Sequence, residues 1–304
     1  MTEIEVWTVS EPFLEIRCQL GEGPAYNEES QELRFLDMNE KEIHFVDMST
    51  SPVSLRTIKT ECHVGVTVDI EGVRDELLAA AKYGFATVDR KTGKMEWLQR
   101  VYQAPEMEAR MRMNDGAVDS RGRLWASSMN DTHIVDHWPR YEGSLFRLHV
   151  DGQAHSALHR ELAIPNGIAW NIADDTMYIT ESESKDIYAF DFEPDTAQIS
   201  NRRVFFHNEG DGLPDGLAID VEDCLWSALF FGGKVIRISP VGHVIGVVNL
   251  PCPLATSITF IGTDLIVTTA RHAEKVPSQF GGAVFRVSVA VRGCRARTAR
   301  LLPS

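Results

Sequence analysis

The sequence predicts an all-β fold: a six-bladed β-propeller of four-stranded antiparallel blades around a central channel, built from residues 1–304 as one domain. Three observations predict it. Long helix-period segments are almost absent. Short runs rich in Val, Ile, Phe, Thr and Trp follow one another, each bounded by Gly, Asp, Asn or Pro, as strands of antiparallel meanders are. One opening pattern recurs six times at roughly 40 to 50 residues, the period of a propeller blade.

The openings are GEGPAYN from Gly21, HVGVTVD from His63, NDGAVDS from Asn114, PNGIAWN from Pro165, PDGLAID from Pro214 and TSITFIG from Thr256. Further strands follow them, such as ELRFLDM and EIHFVDM, GRLWASSM and SLFRLHV, TMYITES and DIYAFDF, CLWSALF and KVIRISP. The units opened by NDG, PNG and PDG share one order: polar residue, Gly, alternating strand, acidic turn, then a strand with Trp or Tyr. A β-sandwich rarely repeats its turn chemistry so regularly. The stretch from Ile238 to Thr263 lacks charge, but Pro240, Pro251 and Pro253 break it into two strands and a loop, not a membrane helix. The basic tail RGCRARTARLLPS reads either as an outer strand closing the ring with N-terminal residues or as a loose end.

Charge and cysteine use narrow the function. A net charge of −14 opposes phosphate backbones and suits cations, so a nucleic-acid partner is not expected. Cys18, Cys62, Cys224, Cys252 and Cys294 are odd in number, widely spaced and without a CxxC pair, which points to reduced thiols. The start, MTEIEVWTVSEPFLEIRC, has no apolar run of a signal peptide. A cytoplasmic protein with no membrane partner, monomeric or weakly dimeric, is the expectation. No GxSxG, HExxH, phosphate-loop or GxGxxG pattern supports serine-hydrolase or nucleotide chemistry.

In a propeller, the inner strand of each blade lines the channel, so equivalent positions far apart in sequence converge. The polar residues before the repeated Gly are Glu22, Asn114, Asn166 and Asp215. Carboxylate and carboxamide oxygens suit a hard divalent cation. Asn-Gly and Asp-Gly also make ordinary turns, but Glu-Gly is not a favoured turn pair. Arg112, on the same strand face as Asn114, is placed to hydrogen-bond substrate oxygens. His63 opens the second unit and reads equally as a substrate contact or a packed channel histidine. Residues Asn130 to Tyr141 form a long connection that reads as a lid, with His133, His137 and Trp138 as contact candidates. The His133–His137 spacing also raises zinc, without a matched third ligand.

These residues carry a family resemblance. LGEGP with Glu22, RMNDG at 112–116, IPNG with Asn166, LPDGLAID with Asp215, FGGKVIRISP and GGAVFRV stand in an order that resembles the regucalcin-like senescence marker protein/gluconolactonase/luciferin-regenerating enzyme family, from about Gly21 to Val287. The resemblance implies a six-bladed propeller, one divalent metal and hydrolysis of sugar lactones. It assigns Glu22, Asn166 and Asp215 to the metal, Arg112 and Asn114 to the substrate, and Asp215 to the base. The family's Trp and Asp after GEGP are here Tyr26 and Asn27. A substrate-contacting acid of some members has no clear counterpart, and Asp131 or Thr132 falls near its place.

The expected activity is therefore metal-dependent opening of an aldonolactone such as gluconolactone, with a small-molecule lactone as the partner. The metal polarises the carbonyl, Asp215 takes the proton of the attacking water, and Arg112 and Asn114 orient hydroxyls, with His63 and Asp131 as further substrate contacts. Ca²⁺, Zn²⁺, Mn²⁺, Mg²⁺ and Fe²⁺ all remain open as the cofactor. So do a non-catalytic Ca²⁺-binding regulatory propeller and a hydrolase for a non-sugar ester or secondary-metabolite intermediate.

Overall fold

The computed structural model describes residues 4–132, 134–135, 141–271 and 278–301. The strands expected from the repeats form six small sheets around a channel. A strand before them, β1 (Glu5–Thr8), belongs to the fifth blade. The first blade is β2 (Gly21–Asn27), β3 (Glu32–Asp37), β4 (Glu42–Asp47) and β5 (Ser54–Lys59). The second is β6 (Val64–Ile70), β7 (Val73–Ala81), β8 (Gly84–Asp89) and β9 (Met95–Arg100). A single-turn helix, α1 (Pro105–Arg110), leads to the third: β10 (Met111–Val118), β11 (Leu124–Asn130), β12 (Gly143–Leu148) and β13 (Ala154–Leu162). The fourth is β14 (Pro165–Trp170), β15 (Thr176–Glu181), β16 (Asp186–Glu193) and β17 (Gln198–His207). The fifth is β18 (Leu213–Ile219), β19 (Leu225–Phe230), β20 (Lys234–Ile238) and β21 (Val244–Asn249). The sixth is β22 (Ala255–Ile261), β23 (Asp264–Thr269) and β24 (Val284–Ser288).

Two blades depart from the expected four strands. β1 adds to the fifth blade in parallel, Glu5 opposite Gly246 and Trp7 opposite Val248. The sixth has three regular strands, and the N-terminal segment covers its outer edge: the Phe13 and Leu14 N–H groups donate to the Val284 carbonyl at 2.8 and 3.0 Å. N-terminal residues thus close the ring and leave no open edge there.

The C-terminal tail is neither an outer strand nor a loose end. Gly293 bridges Asp220 and Ala299 bridges Ile70, so the segment crosses the end of the channel opposite Glu22. Arg295 pairs with Glu28 at 2.6 Å, Arg297 with Asp174 at 3.3 Å and Arg300 with Glu71 at 2.6 Å, which ties it to three blades. Its alternating arginines face carboxylates at the blade turns, which is why it lies flat across them. A cavity of about 210 Å³ remains between this strap and the inner strands, with Asp115 and Trp170 in its wall.

Apolar residues fill the wedges between blades. Trp125 of the third blade meets Trp170 of the fourth edge-on, ring centres 6.1 Å apart. The repeated acidic turns have a structural task. Asp119 accepts the Trp125 indole N–H at 2.8 Å and Arg123 Nε at 2.6 Å. Asp220 accepts the Trp226 indole and Arg237 Nε, both at 2.8 Å. A buried carboxylate with such partners has its desolvation offset, so the turn is pinned to the strand after it. Among the described residues, no helix is long and apolar enough to cross a membrane.

Candidate metal and substrate site

Each inner strand carries a bulge near its entry to the channel. In β10 the register slips between Met113 and Gly116, so Asn114 and Asp115 together face Ser127. The same slip occurs between Glu22 and Ala25, Pro165 and Ile168, Pro214 and Leu217, and Ala255 and Ile258. An extra residue turns the strand and re-aims the side chains around it. The repeated glycine follows from crowding at this ring. A Cβ on Gly216 would stand 2.7 Å from Ser257 Cα, and one on Gly65 would stand 2.5 Å from the Asn114 carbonyl oxygen. Only glycine lets inner strands come so close.

The bulges bring five of the expected residues together. Glu22, Arg112, Asn114, Asn166 and Asp215 are all buried. Arg112 Nη1 donates to Asn114 Oδ1 at 2.7 Å and to the Met113 carbonyl at 3.1 Å. The Asn114 amide donates to Asn166 Oδ1 at 2.7 Å and to the Pro165 carbonyl at 2.9 Å. The Asn166 amide donates to Ser182 Oγ at 2.8 Å, and Ser182 donates to the Pro214 carbonyl at 2.6 Å. One chain of hydrogen bonds thus crosses the third, fourth and fifth blades.

The carboxylates are poorly served by comparison. Asp215 Oδ1 is buried without a hydrogen-bond partner. Among the described residues, Glu22 Oε2 receives only the Gly23 N–H, at 3.4 Å. Burial pushes the Glu22 carboxyl up to about 8, and the Asp115 charge adds to the rise. Burial, then the charges of Glu22 and Asp115, hold Asp215 well above the usual carboxylate range. Arg112 opposes both rises without cancelling them. Two buried acids short of positive charge, beside a carboxamide oxygen, fit a divalent cation. Among the described residues no three His, Cys, Asp or Glu side chains form a metal cluster, and the Asn166 carboxamide stands between the Asn114 amide and Ser182 on the same ring.

Asp115 is a site residue that the reading of the sequence passed over. It is buried, accepts the Gly116 N–H at 2.6 Å, and is raised by burial to about 6. The signal was present. Counted back from Gly116, it is Asp115, not Asn114, that aligns with Glu22, Asn166 and Asp215. The bulge then lets Asn114 share the channel. Ser182 had no signal at all, since it lies on the turn after β15.

The remaining expected residues are placed around this centre. Asp131 is buried and pairs with Lys82 Nζ at 2.8 Å. Burial lowers the Arg112 pKa, while Asp131, then Glu22 and Asp215, hold the guanidinium charged. His63 is half-buried at the start of β6, and its carbonyl accepts the Lys82 N–H at 2.8 Å. His133, His137 and Trp138 lie outside the described residues, as does much of the expected lid. Asn27 lies at the far end of β2 from Glu22. Its Oδ1 accepts the Glu29 and Ser30 N–H groups at 3.0 and 3.1 Å, so the position serves a turn, and its amide donates to Asp69 Oδ2 at 3.3 Å, which an Asp there would not. A cleft of about 470 Å³ around Phe192 and Ile199 on the outer strands is away from all these groups.

Comparison with known proteins shows the family. Residues 20–271 match the family model described as the SMP-30/Gluconolactonase/LRE-like region. The chain is 29% identical over 289 residues to pentonolactonase XacC of Haloferax volcanii, covering 91% of this chain and 93% of that one. It is 32% identical over 263 residues to regucalcin of Pongo abelii, covering 84% of each. The solved structure of a luciferin-regenerating enzyme superposes with a TM-score of 0.85 at 28% identity, over 94% of this chain and 97% of that one.

Proposed function

The chain belongs to the SMP-30/gluconolactonase/LRE-like family, and on that premise we propose that it is a divalent-metal-dependent hydrolase that opens sugar lactones of the aldonolactone class. Family membership supports lactone hydrolysis. The metal and the residue roles rest on the site. The observation that carries them is the pairing of two under-compensated buried carboxylates, Glu22 and Asp215, with the Asn166 oxygen within a fixed hydrogen-bond chain.

Glu22, Asn166 and Asp215 would hold the cation. Bound there, a divalent ion supplies Lewis-acid polarisation of the lactone carbonyl and makes a neighbouring water more acidic. The chain's own residues do the rest. Asp215 has one carboxylate oxygen without a protein partner, which is the group to take the proton of the attacking water. That proton passes to the ring oxygen as the carbon–oxygen bond breaks, leaving the open hydroxy acid. Arg112 lies beside the carboxylates and would orient the sugar oxygens over Asp215, while Asn114, whose amide donates to Asn166 Oδ1 and the Pro165 carbonyl, would hold Asn166 in place. The burial of the group excludes competing water and strengthens each of these contacts.

A panel of aldonolactones, aryl esters and phosphotriesters, tested on chelator-treated protein with Ca²⁺, Mg²⁺, Mn²⁺, Zn²⁺ or Fe²⁺ added back, tests the proposal. Turnover of an aldonolactone that needs an added metal and disappears in Asp215→Ala supports it. No turnover of any lactone with any metal would overturn it, and tight Ca²⁺ binding in that case would mark a non-catalytic regulator.

A further inference from the structure

One buried carboxylate at the channel mouth answers two cations from two blades. Asp131 directly follows β11, and its N–H donates to the Arg110 carbonyl at 2.8 Å. Its Oδ2 meets Lys82 Nζ at 2.8 Å, with the side chains 3% and 11% exposed. Lys82 directly follows β7 and is tied at both ends. Its backbone N–H donates to the His63 carbonyl, and Nζ also donates to the Ala109 carbonyl at 3.0 Å. The same Asp131 charge does more than Glu22 or Asp215 to keep the Arg112 guanidinium charged.

A pair this dry is held in place by its own cost. Either charge left alone would be buried without compensation, so neither partner readily turns to another group. A lysine and an arginine beside a substrate site would otherwise form a strong site for a carboxylate or phosphate. Here Asp131 occupies that role from within the protein. We infer that the Lys82–Asp131 pair sets the charge selectivity of the site, admitting uncharged polyhydroxylated lactones and excluding lactones that carry an anionic group. Lys82 acts as a positioning residue, through Asp131 and on to Arg112. This rests on the lactone reading above and adds the substrate class and two specificity residues.

The test compares kcat/KM for D-glucono-1,5-lactone with that for D-glucaro-1,4-lactone, which bears a carboxylate, in the full-length metal-loaded protein. The wild type prefers the neutral lactone. Asp131→Asn releases both cations and shifts the ratio toward the anionic lactone by at least about tenfold, mainly through KM. Lys82→Met leaves Asp131 with one cation fewer and shifts the ratio the other way, while Lys82→Arg keeps the wild-type ratio. Loss of packing alone would lower both rates together and leave the ratio unchanged. If Asp131→Asn does not fold, the Lys82→Met and Lys82→Arg pair decides. A ratio within about twofold of wild type in every folded variant overturns the inference while leaving lactone hydrolysis intact. A wild type inert towards both lactones overturns the lactone reading, and this inference with it.

Discussion

Arg112 donates through Nη1 to Asn114 Oδ1 at 2.7 Å, and this contact decides which way the Asn114 amide faces. With its oxygen taken, Asn114 presents N–H groups to Asn166 Oδ1 and the Pro165 carbonyl. Asn114 therefore braces Asn166 from the neighbouring blade. On the proposed reading the cation is held by Glu22, Asn166 and Asp215.

Replacing Arg112 by Lys keeps the charge but loses the planar fork. Asn114 then has no fixed orientation, and the grip on Asn166 loosens. Steady-state kinetics on D-glucono-1,5-lactone should show kcat/KM lower by about 10²-fold. Calorimetric titration with Mn²⁺ should show a smaller loss of metal affinity, because all three oxygen donors remain.

Glu22 is held at about 8 in the folded, metal-free chain, against an ordinary value of 4.5. A raised acid contributes stability that is fully present below the unfolded pKa and is lost as pH rises through the folded one. Metal-free protein should therefore lose stability between about pH 4.5 and 8. Glu22→Gln should flatten that loss and melt higher than wild type at pH 8 in chelator, although it cannot hold metal. Thermal unfolding against pH, with and without chelator, checks this.

The same shifts govern metal uptake. At pH 7 the Glu22 carboxyl, raised to about 8, holds a proton that a cation must displace, and the raised Asp215 carboxyl acts in the same direction. Affinity should rise from pH 6 to pH 8, with proton release read from the dependence of calorimetric heats on buffer ionisation enthalpy. The Asp115 charge raises both carboxyls, so Asp115→Asn should move this rise to lower pH.

Much of this was legible in the sequence, and the limits have physical causes. The inner strands were visible because four of them repeat a polar-Gly opening that the crowded channel requires, as at Gly216 against Ser257, and the other two keep its spacing. Glu22, Asn166 and Asp215 stood out for the same reason. Asp115 precedes its glycine as they do, but Asn114 took its place in the reading, because strand alternation allows one residue in the channel and the bulge places two there. Lys82 was invisible, since its meaning comes from Asp131, 49 residues away on another blade. The tail looked like a strand or a loose end because its partners, Glu28, Glu71 and Asp174, are scattered over three blade turns.

That tail should matter to stability. Beyond the ion pairs, the Cys294 and Ala299 N–H groups donate to the Ile219 and Asp69 carbonyls at 2.9 and 2.8 Å. Ala299 itself is fully buried. Deleting the chain from Gly293 onward should cost about 3–5 kcal/mol, whereas Arg297→Ala alone should cost less than about 1 kcal/mol. Urea unfolding of the two variants separates the contributions.

The most direct test of the central claim is anomalous diffraction from crystals grown with Mn²⁺. The account predicts one strong peak about 2.0–2.5 Å from a Glu22 carboxylate oxygen, Asn166 Oδ1 and an Asp215 carboxylate oxygen, with the Asn114 amide turned away from it. Absence of a peak among these three residues at saturating Mn²⁺, or a peak elsewhere in the molecule, would contradict it.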